Sequence, residues 1–316
     1  MPDSKTIQII ESSSRAEWLG NRRQDVTASQ IGGVLDVHPY CTPYSIWAEK
    51  TGRVVDDLDL DSAVLRRGRL LEGLGAELAT AELPAGSEVV RNTANTYWRD
   101  TRARIGATPD MIAKTDRGKG VIQLKNIEPS IYAKNWPDGE CPLWIALQAL
   151  TEAKLVGADW AMVGALRVGF SVDFDLIEIP LHEAAWARLQ SAVADFWANV
   201  EAGVPPSVNY QRDGAAISMM SGASNGSTVD LSGDNELVAA LADRERLKSL
   251  HKLMGDQIGT CDAMIRHKAG EAEVVLAGDF RVSLRTESVK GFTVAPRTQR
   301  PIRIKRIRGT ASNEQQ

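Results

Sequence analysis

Cysteine is scarce in this chain. There are three, Cys41, Cys141 and Cys261, each far from the next. An odd, scattered set argues against a disulfide framework and offers no spacing for a zinc cluster. The four histidines are just as dispersed, and no His-Glu-x-x-His occurs. Any metal would therefore rest on oxygen ligands, which favours a hard cation, magnesium or manganese. Long hydrophobic runs are missing too: none reaches the ~18 residues needed to span a bilayer. The opening stretch, MPDSKTIQII, lacks the basic start and apolar core of a signal peptide. Together these absences predict a soluble, cytoplasmic protein with no membrane partner. Nor is there an excess of positive charge. The net value of −4 weakly opposes nucleic-acid binding, but local distribution decides more than the sum.

Basic residues do gather locally, at Arg22–Arg23, at Arg66, Arg67 and Arg69, and at Arg99, Arg102 and Arg104. The stretch from Arg297 to Arg308 holds six basic residues and no acidic one. Each cluster fits a solvated face, and each also fits phosphate binding. With 316 residues the chain is long enough for one large domain and a smaller one.

Hydrophobic period organises the chain. Residues 15–52 read as helices and turns, with Thr27 or Ser29 capping a short helix over TASQIGGVL. Residues 62–82 carry Leu65, Leu70, Leu71, Leu74 and Leu78 at helical spacing. The period then shortens: EVVRNTANTYWRD and RARIGATPDMIAKTD suggest strands, TDRGKG a turn, and VIQLKN the returning strand. Residues 142–159 return to helix, AMVGALRV and FDLIEI read as strands, and HEAAWARLQSAVADFWANVEAG is a long helix closed by Gly203. This order predicts an α/β (α+β) fold with a mixed central sheet flanked by helices. Residues 1–210 form the expected main domain. Residues 211–234, rich in Gly, Ser and Asp, read as a linker or mobile loop. Residues 235–316 read as a long helix, a small β region (including RPIRIKRIRG) and a basic tail.

One stretch carries chemistry: GATPDMIAKTDRGKGVIQLK, residues 106–125. Asp110 opens one strand. Gln123 and Lys125 lie two apart on the next and so share a face. A hairpin brings all three together. An acid, a second oxygen ligand and a lysine are what phosphodiester hydrolysis by one or two divalent ions requires. An ordinary hairpin with exposed polar residues has the same spacing. Glu72, on the helix before the sheet, could add a second acid, and it also fits a solvated helix position. Gln148 is a polar residue within an apolar helix. It suits a hydrogen-bond donor facing a site, or an amide bonded to a neighbour.

At this point the chain resembles a known family. WLGNRRQDVTASQIGGVLDVHPYCTPYSIWAEKTG, then GRLLE (Gly68 to Glu72), TPD (Thr108 to Asp110), IQLK (Ile122 to Lys125) and QALTEAKLVGAD are similar, in order, to the motifs of the YqaJ-like viral recombinases. That family includes the lambda-type exonucleases of the PD-(D/E)xK nuclease superfamily. The resemblance spans roughly residues 15–200. It implies a PD-(D/E)xK, restriction-endonuclease-like core and a magnesium-dependent 5′-to-3′ double-strand DNA exonuclease, with manganese as a substitute ion. Asp110, Glu72, Gln123 and the Leu124 carbonyl would hold metal. Lys125 would orient the attacking water, and Gln148 would support the site. Arg22, Ser29 and Thr108 would grip a terminal 5′-phosphate. Relatives of the lambda type form ring trimers on double-stranded DNA ends and work with a phage-type single-strand annealing protein inside the bacterial host. One position departs from the pattern: the family's Glu is Gln123 here. Activity is then expected to be weak or lost, the alternative being a catalytically silent DNA-end-binding protein. Because amide and carboxylate share shape and volume, Gln123→Glu is expected to leave the metal-free fold unmoved.

Overall fold

The computed structural model describes residues 7–54, 63–92, 96–289, 291 and 301–304. They divide into two compact units, residues 1–222 and 223–316.

The first unit runs β1 (Ile7–Ile10), α1 (Arg15–Arg23), β2 (Val26–Thr27), α2 (Ala28–Val34), α3 (Pro43–Lys50), α4 (Ala63–Ala81), β3 (Glu88–Arg91), β4 (Tyr97–Asp100), β5 (Ile105–Ala107), β6 (Met111–Thr115) and β7 (Gly118–Ile127). It continues with α5 (Pro129–Asn135), α6 (Leu143–Val156), β8 (Trp160–Val168), β9 (Val172–Ile179), α7 (Glu183–Ala202) and α8 (Gly214–Met220). The five-stranded sheet has the order β3-β6-β7-β8-β9. Its one parallel pair is β7–β8, joined through α5 and α6; its other pairs are antiparallel. A second sheet, β1-β4-β5-β2, stands apart from it. The mixed sheet flanked by helices is thus the α/β architecture that the order of periods predicts. The stretch 88–100, though, divides its strands between two sheets. β1 carries only four residues, IQII, too few to show a period.

Local chemistry sets these elements. Gln30 accepts the Thr27 N–H at the head of α2 (3.2 Å), so Thr27 rather than Ser29 takes the cap. The β6–β7 turn needs Gly118 at φ +92°, and a Cβ there would also strike the Asp159 carboxylate. Along β7 the faces alternate. Val121 packs with Ala149, Ala153 and Val163 under α6, while Ile122 and Leu124 pack with Ala76 and Ala79 under α4. The sheet therefore lies between α4 and α6. On its far side α6 meets a third cluster built on Ile31, Trp47, Leu189 and Trp197 of α2, α3 and α7. Being covered on both sides, α6 is buried nearly all round, from Ile145 to Val156.

Residues 211–234 are not all a connector. Residues 214–220 form α8, and tertiary bonds pin its start. Thr42 donates to the buried Asp213 carboxylate, which also accepts the Asn209 N–H at 2.7 Å. Arg212 reaches Asp36 at 2.7 Å and the Cys41 carbonyl at 2.9 Å. The second unit consists of α9 (Asn235–Ala269) and a hairpin, β10 (Val274–Ala277) and β11 (Phe280–Ser283). The expected strand over RPIRIKRIRG is not formed at residues 301–304; the rest of that basic stretch lies outside the described residues. Among the described residues, no helix is long and apolar enough to cross a membrane.

Candidate active site

The β6–β7 hairpin builds the site from its open end. Its register sets Met111 opposite Ile122, so Asp110 arrives beside Gln123. The Asp110 carboxylate accepts the Leu124 N–H at 2.7 Å through Oδ2. The same oxygen accepts Gln123 Nε2 in a short hydrogen bond. That Nε2 also donates to the Leu124 carbonyl at 3.2 Å. Two oxygens, one acidic and one a carbonyl, thus converge on an amide N–H₂. Gln123 Oε1, at the other end of the amide, is buried with no partner among the described residues. Burial pushes the Asp110 carboxyl up to about 6, against the pull of Lys125 and the Leu124 N–H, with Glu72 adding to the rise.

Glu72 reaches this place from α4. Ala76 and Ala79 on that helix pack on the sheet, and Glu72 continues their stripe one turn toward the N-terminus. It lines a cleft of about 870 Å³ with Asp110, Gln123, Leu124 and Lys125. Arg67 and Arg69 edge the same cleft. The Glu72 carboxylate leans toward Arg91, at 3.5 Å. Among the described residues, no three His, Cys, Asp or Glu side chains gather as a metal cluster. The carboxylates lining this cleft at its hairpin end are Asp110 and Glu72.

Lys125 points to the α6 side of the sheet. Its ammonium donates to Gln148 Oε1 at 2.8 Å and lies 5.9 Å from the Trp144 ring centre. Gln148 Nε2 in turn donates to Glu152 Oε1 at 2.9 Å, one helical turn on. Sequence reading missed Glu152. Gln148, Thr151, Glu152 and Lys154 together read as a solvated side of α6, which masks the four-residue spacing of Gln148 and Glu152.

Arg22, Ser29 and Thr108 form a second group outside the cleft lining. β2 runs parallel to β5, with Thr27 beside Gly106, which carries Ser29 toward Thr108. Arg22 donates to Ser29 at 3.4 Å and stacks over the Trp18 ring at 4.3 Å. Trp18 Nε1 donates to Thr108 at 3.4 Å. Lys50, its side chain buried, donates to the Arg22 carbonyl at 3.1 Å and to Glu49 at 3.0 Å. Beneath, Asp25 is fully buried and bound by Arg99 at 2.8 Å and the Tyr97 hydroxyl at 3.0 Å. Gly106 is needed there, because a Cβ would collide with the Tyr97 hydroxyl. Trp18, Lys50 and Asp25 are members of this group that spacing alone did not single out.

The chain is similar to several known proteins. Residues 17–158 match the family model of the YqaJ-like viral recombinase domain. Among curated proteins it is similar to the uncharacterized protein YqaJ of Bacillus subtilis (strain 168). Identity is 23% over 297 residues, covering 88% of this chain and 86% of the relative. Among solved structures it is similar to an alkaline exonuclease (LHK-Exo) from Laribacter hongkongensis. Identity there is 20% and the TM-score 0.45, over 64% of this chain and 98% of the other. A weaker likeness, TM-score 0.36 at 16% identity, is to SSO0001, over 54% of this chain and 76% of the other.

Proposed function

We propose that this protein is a magnesium-dependent deoxyribonuclease that resects duplex DNA from its ends, 5′ to 3′, for recombination of the viral type. The observation that carries the reading is the convergence of Asp110 Oδ2 and the Leu124 carbonyl on one point, beside Lys125. The Gln123 N–H₂ now stands where two oxygens would hold a cation. Turning that amide over brings its orphaned Oε1 to the same point, giving an all-oxygen donor set suited to a hard divalent ion. Asp110, Leu124 O, Gln123 Oε1 and Glu72 would hold it, and manganese would substitute for magnesium. When bound, such an ion polarises the scissile phosphate and acidifies water. Lys125, held by Gln148, offers its ammonium to the attacking water. Arg22, Ser29 and Thr108 take the terminal 5′-phosphate by charge-assisted bonds. A ring trimer and a strand-annealing partner belong to the same proposal, through the family.

A second reading, a silent protein that binds DNA ends, is favoured by the same amide. Its N–H₂ satisfies Asp110 without any ion. One experiment separates the two readings. End-labelled linear duplex and circular duplex are incubated with magnesium or manganese, with 5′-phosphate and 5′-hydroxyl ends compared in binding. The nuclease shortens only the linear duplex and prefers the phosphate, and Arg22→Ala erases that preference. Tight binding of ends with no shortening supports the silent binder. Equal binding of both kinds of end refutes the phosphate pocket.

A further inference from the structure

Glu152 stands in the middle of α6 and is 1% exposed. A carboxyl group there costs stability unless fully satisfied, and this one is not. Oε1 accepts from Gln148; Oε2 is buried with no partner among the described residues. Its neighbours on the helix are Leu147, Leu150, Ala153 and Leu155, all buried. Packing alone would favour another leucine.

We infer that Glu152 is a positioning residue: it fixes which end of the Gln148 amide faces Lys125. An amide has a donor end and an acceptor end of nearly equal size. Glu152 Oε1 accepts only the donor end. Gln148 must then turn its oxygen to the Lys125 ammonium, as the 2.8 Å contact records. The reverse orientation would set N–H₂ against ammonium and oxygen against oxygen. Two repulsive contacts would replace two hydrogen bonds. The relay from Glu152 through Gln148 thus sets the direction in which the ammonium projects into the cleft.

Burial, with the Asp110 carboxylate nearby, raises the Glu152 carboxyl well above the usual carboxylate range. A neutral carboxyl also carries an O–H donor, but the Lys125 ammonium, a donor only, still bars the reversed amide. The relay thus survives loss of the Glu152 charge as long as position 152 keeps an acceptor for Gln148 Nε2. A neutral carboxyl still offers a carbonyl oxygen to Gln148. An amide at position 152 would do so as well, and a hydrocarbon would not.

The kinetic test rests on the nuclease reading; a second measurement does not. Glu152→Leu should lower kcat about tenfold at unchanged KM, and Glu152→Gln should restore it to within about twofold. In metal-free, DNA-free protein labelled on glutamine nitrogen, the Gln148 side-chain amide protons are followed by NMR. They should exchange slowly in the wild type and in Glu152→Gln, and fast in Glu152→Leu. Should the leucine variant not fold, Glu152→Met has similar reach and no acceptor. Equal protection in all variants overturns the proposal. So does a fall in kcat that Glu152→Gln fails to recover, since the charge would then matter rather than the acceptor. If the wild type cuts no DNA, the nuclease reading fails on its own, and amide exchange alone decides the relay.

Discussion

Gln123→Glu tests the candidate cation site at its centre. In the wild type, Gln123 Nε2 donates to Asp110 Oδ2 and to the Leu124 carbonyl, and the residue is 5% exposed. A glutamate there cannot donate when ionised, and it sets a second carboxylate against Asp110. Two carboxylates in contact cannot both ionise; they keep one proton between them and raise the pair's upper pKa. Burial already holds Asp110 at about 6. A further rise of about 2 units corresponds to roughly 3 kcal/mol at pH 8. For a unit of this size each kcal/mol moves Tm by about 2–4 °C. The variant should therefore melt roughly 6–12 °C below the wild type in EDTA at pH 8. Near pH 5, where the shared proton is retained, the two should nearly coincide. The amide is thus not the neutral isostere that shape and volume suggest, because it is a donor in the metal-free protein.

Divalent ions should reverse the order. Manganese or magnesium replaces the missing donor with a cation, so the glutamate variant should gain more Tm than the wild type on titration. Its nuclease rate should exceed the wild type's by tenfold or more, at least ~1.4 kcal/mol of transition-state stabilisation. Thermal melts with EDTA, magnesium and manganese at pH 5 and pH 8, with end-labelled duplex in parallel, give all these values. A glutamate variant that melts with or above the wild type in EDTA at pH 8 would refute the donor role of Gln123. Equal ion-induced gains would mean that the amide oxygen serves as well as a carboxylate.

Asp110 sets a second dependence on pH. Its carboxyl is raised in the folded state, so the fold holds a proton that the unfolded chain has released. Its contribution is present below about pH 4 and is lost as pH rises through about 6, on the order of 3 kcal/mol in metal-free buffer. Asp110→Asn does not titrate there. Its Tm advantage over the wild type should widen by several degrees from pH 4 to pH 7, then narrow when manganese is added; parallel Tm curves would contradict the assignment. Asp25→Ala removes the buried partner of Arg99 and Tyr97 and should cost roughly 3 kcal/mol. Circular dichroism melts should show that loss, and 5′-phosphate preference should fall with it, since Asp25 anchors the turn before Thr27 and Ser29. A Tm within 2 °C of the wild type, on the scale of about 2–4 °C per kcal/mol, would refute the anchoring role.

What the sequence revealed and what it hid follow from range. The hairpin was legible because period 2 and the TDRGKG turn are local signals, and they alone bring Asp110, Gln123 and Lys125 together. Glu152 was hidden because QALTEAKL looks like a helix with a solvated side. Only the packing of the sheet on one face and of α2 and α7 on the other reveals that α6 has none. The segment before Gly222 reads as connector from its sequence for the same reason. Its Gly and Ser content is real, but Arg212 and Asp213 bond to residues 36–42, over 170 positions away. The direction of the Gln123 amide was beyond any pattern in the chain, since it depends on which oxygens surround it.

The two halves of the site are joined by very little chain. Thr108 touches Trp18 in the Arg22 group, and Asp110 touches Gln123 and Leu124 in the cleft. Between them stands Pro109, buried. Proline fixes its own φ and drives the residue before it toward extended backbone, so the two positions are held roughly 7 Å apart by a short stiff link. That is the scale of a single nucleotide step along one strand. On the proposed reading, a 5′-phosphate held by Arg22, Ser29 and Thr108 would set the next phosphodiester against Asp110 and Lys125. Chain ends would then be shortened in small fixed steps, and a circle, having no terminal phosphate, would find no register. The same link explains why Gln123 is the sensitive position. The Arg22 group and the lysine relay are both built without it, so on the proposed reading the protein would keep the means to hold an end whichever way that one amide faces.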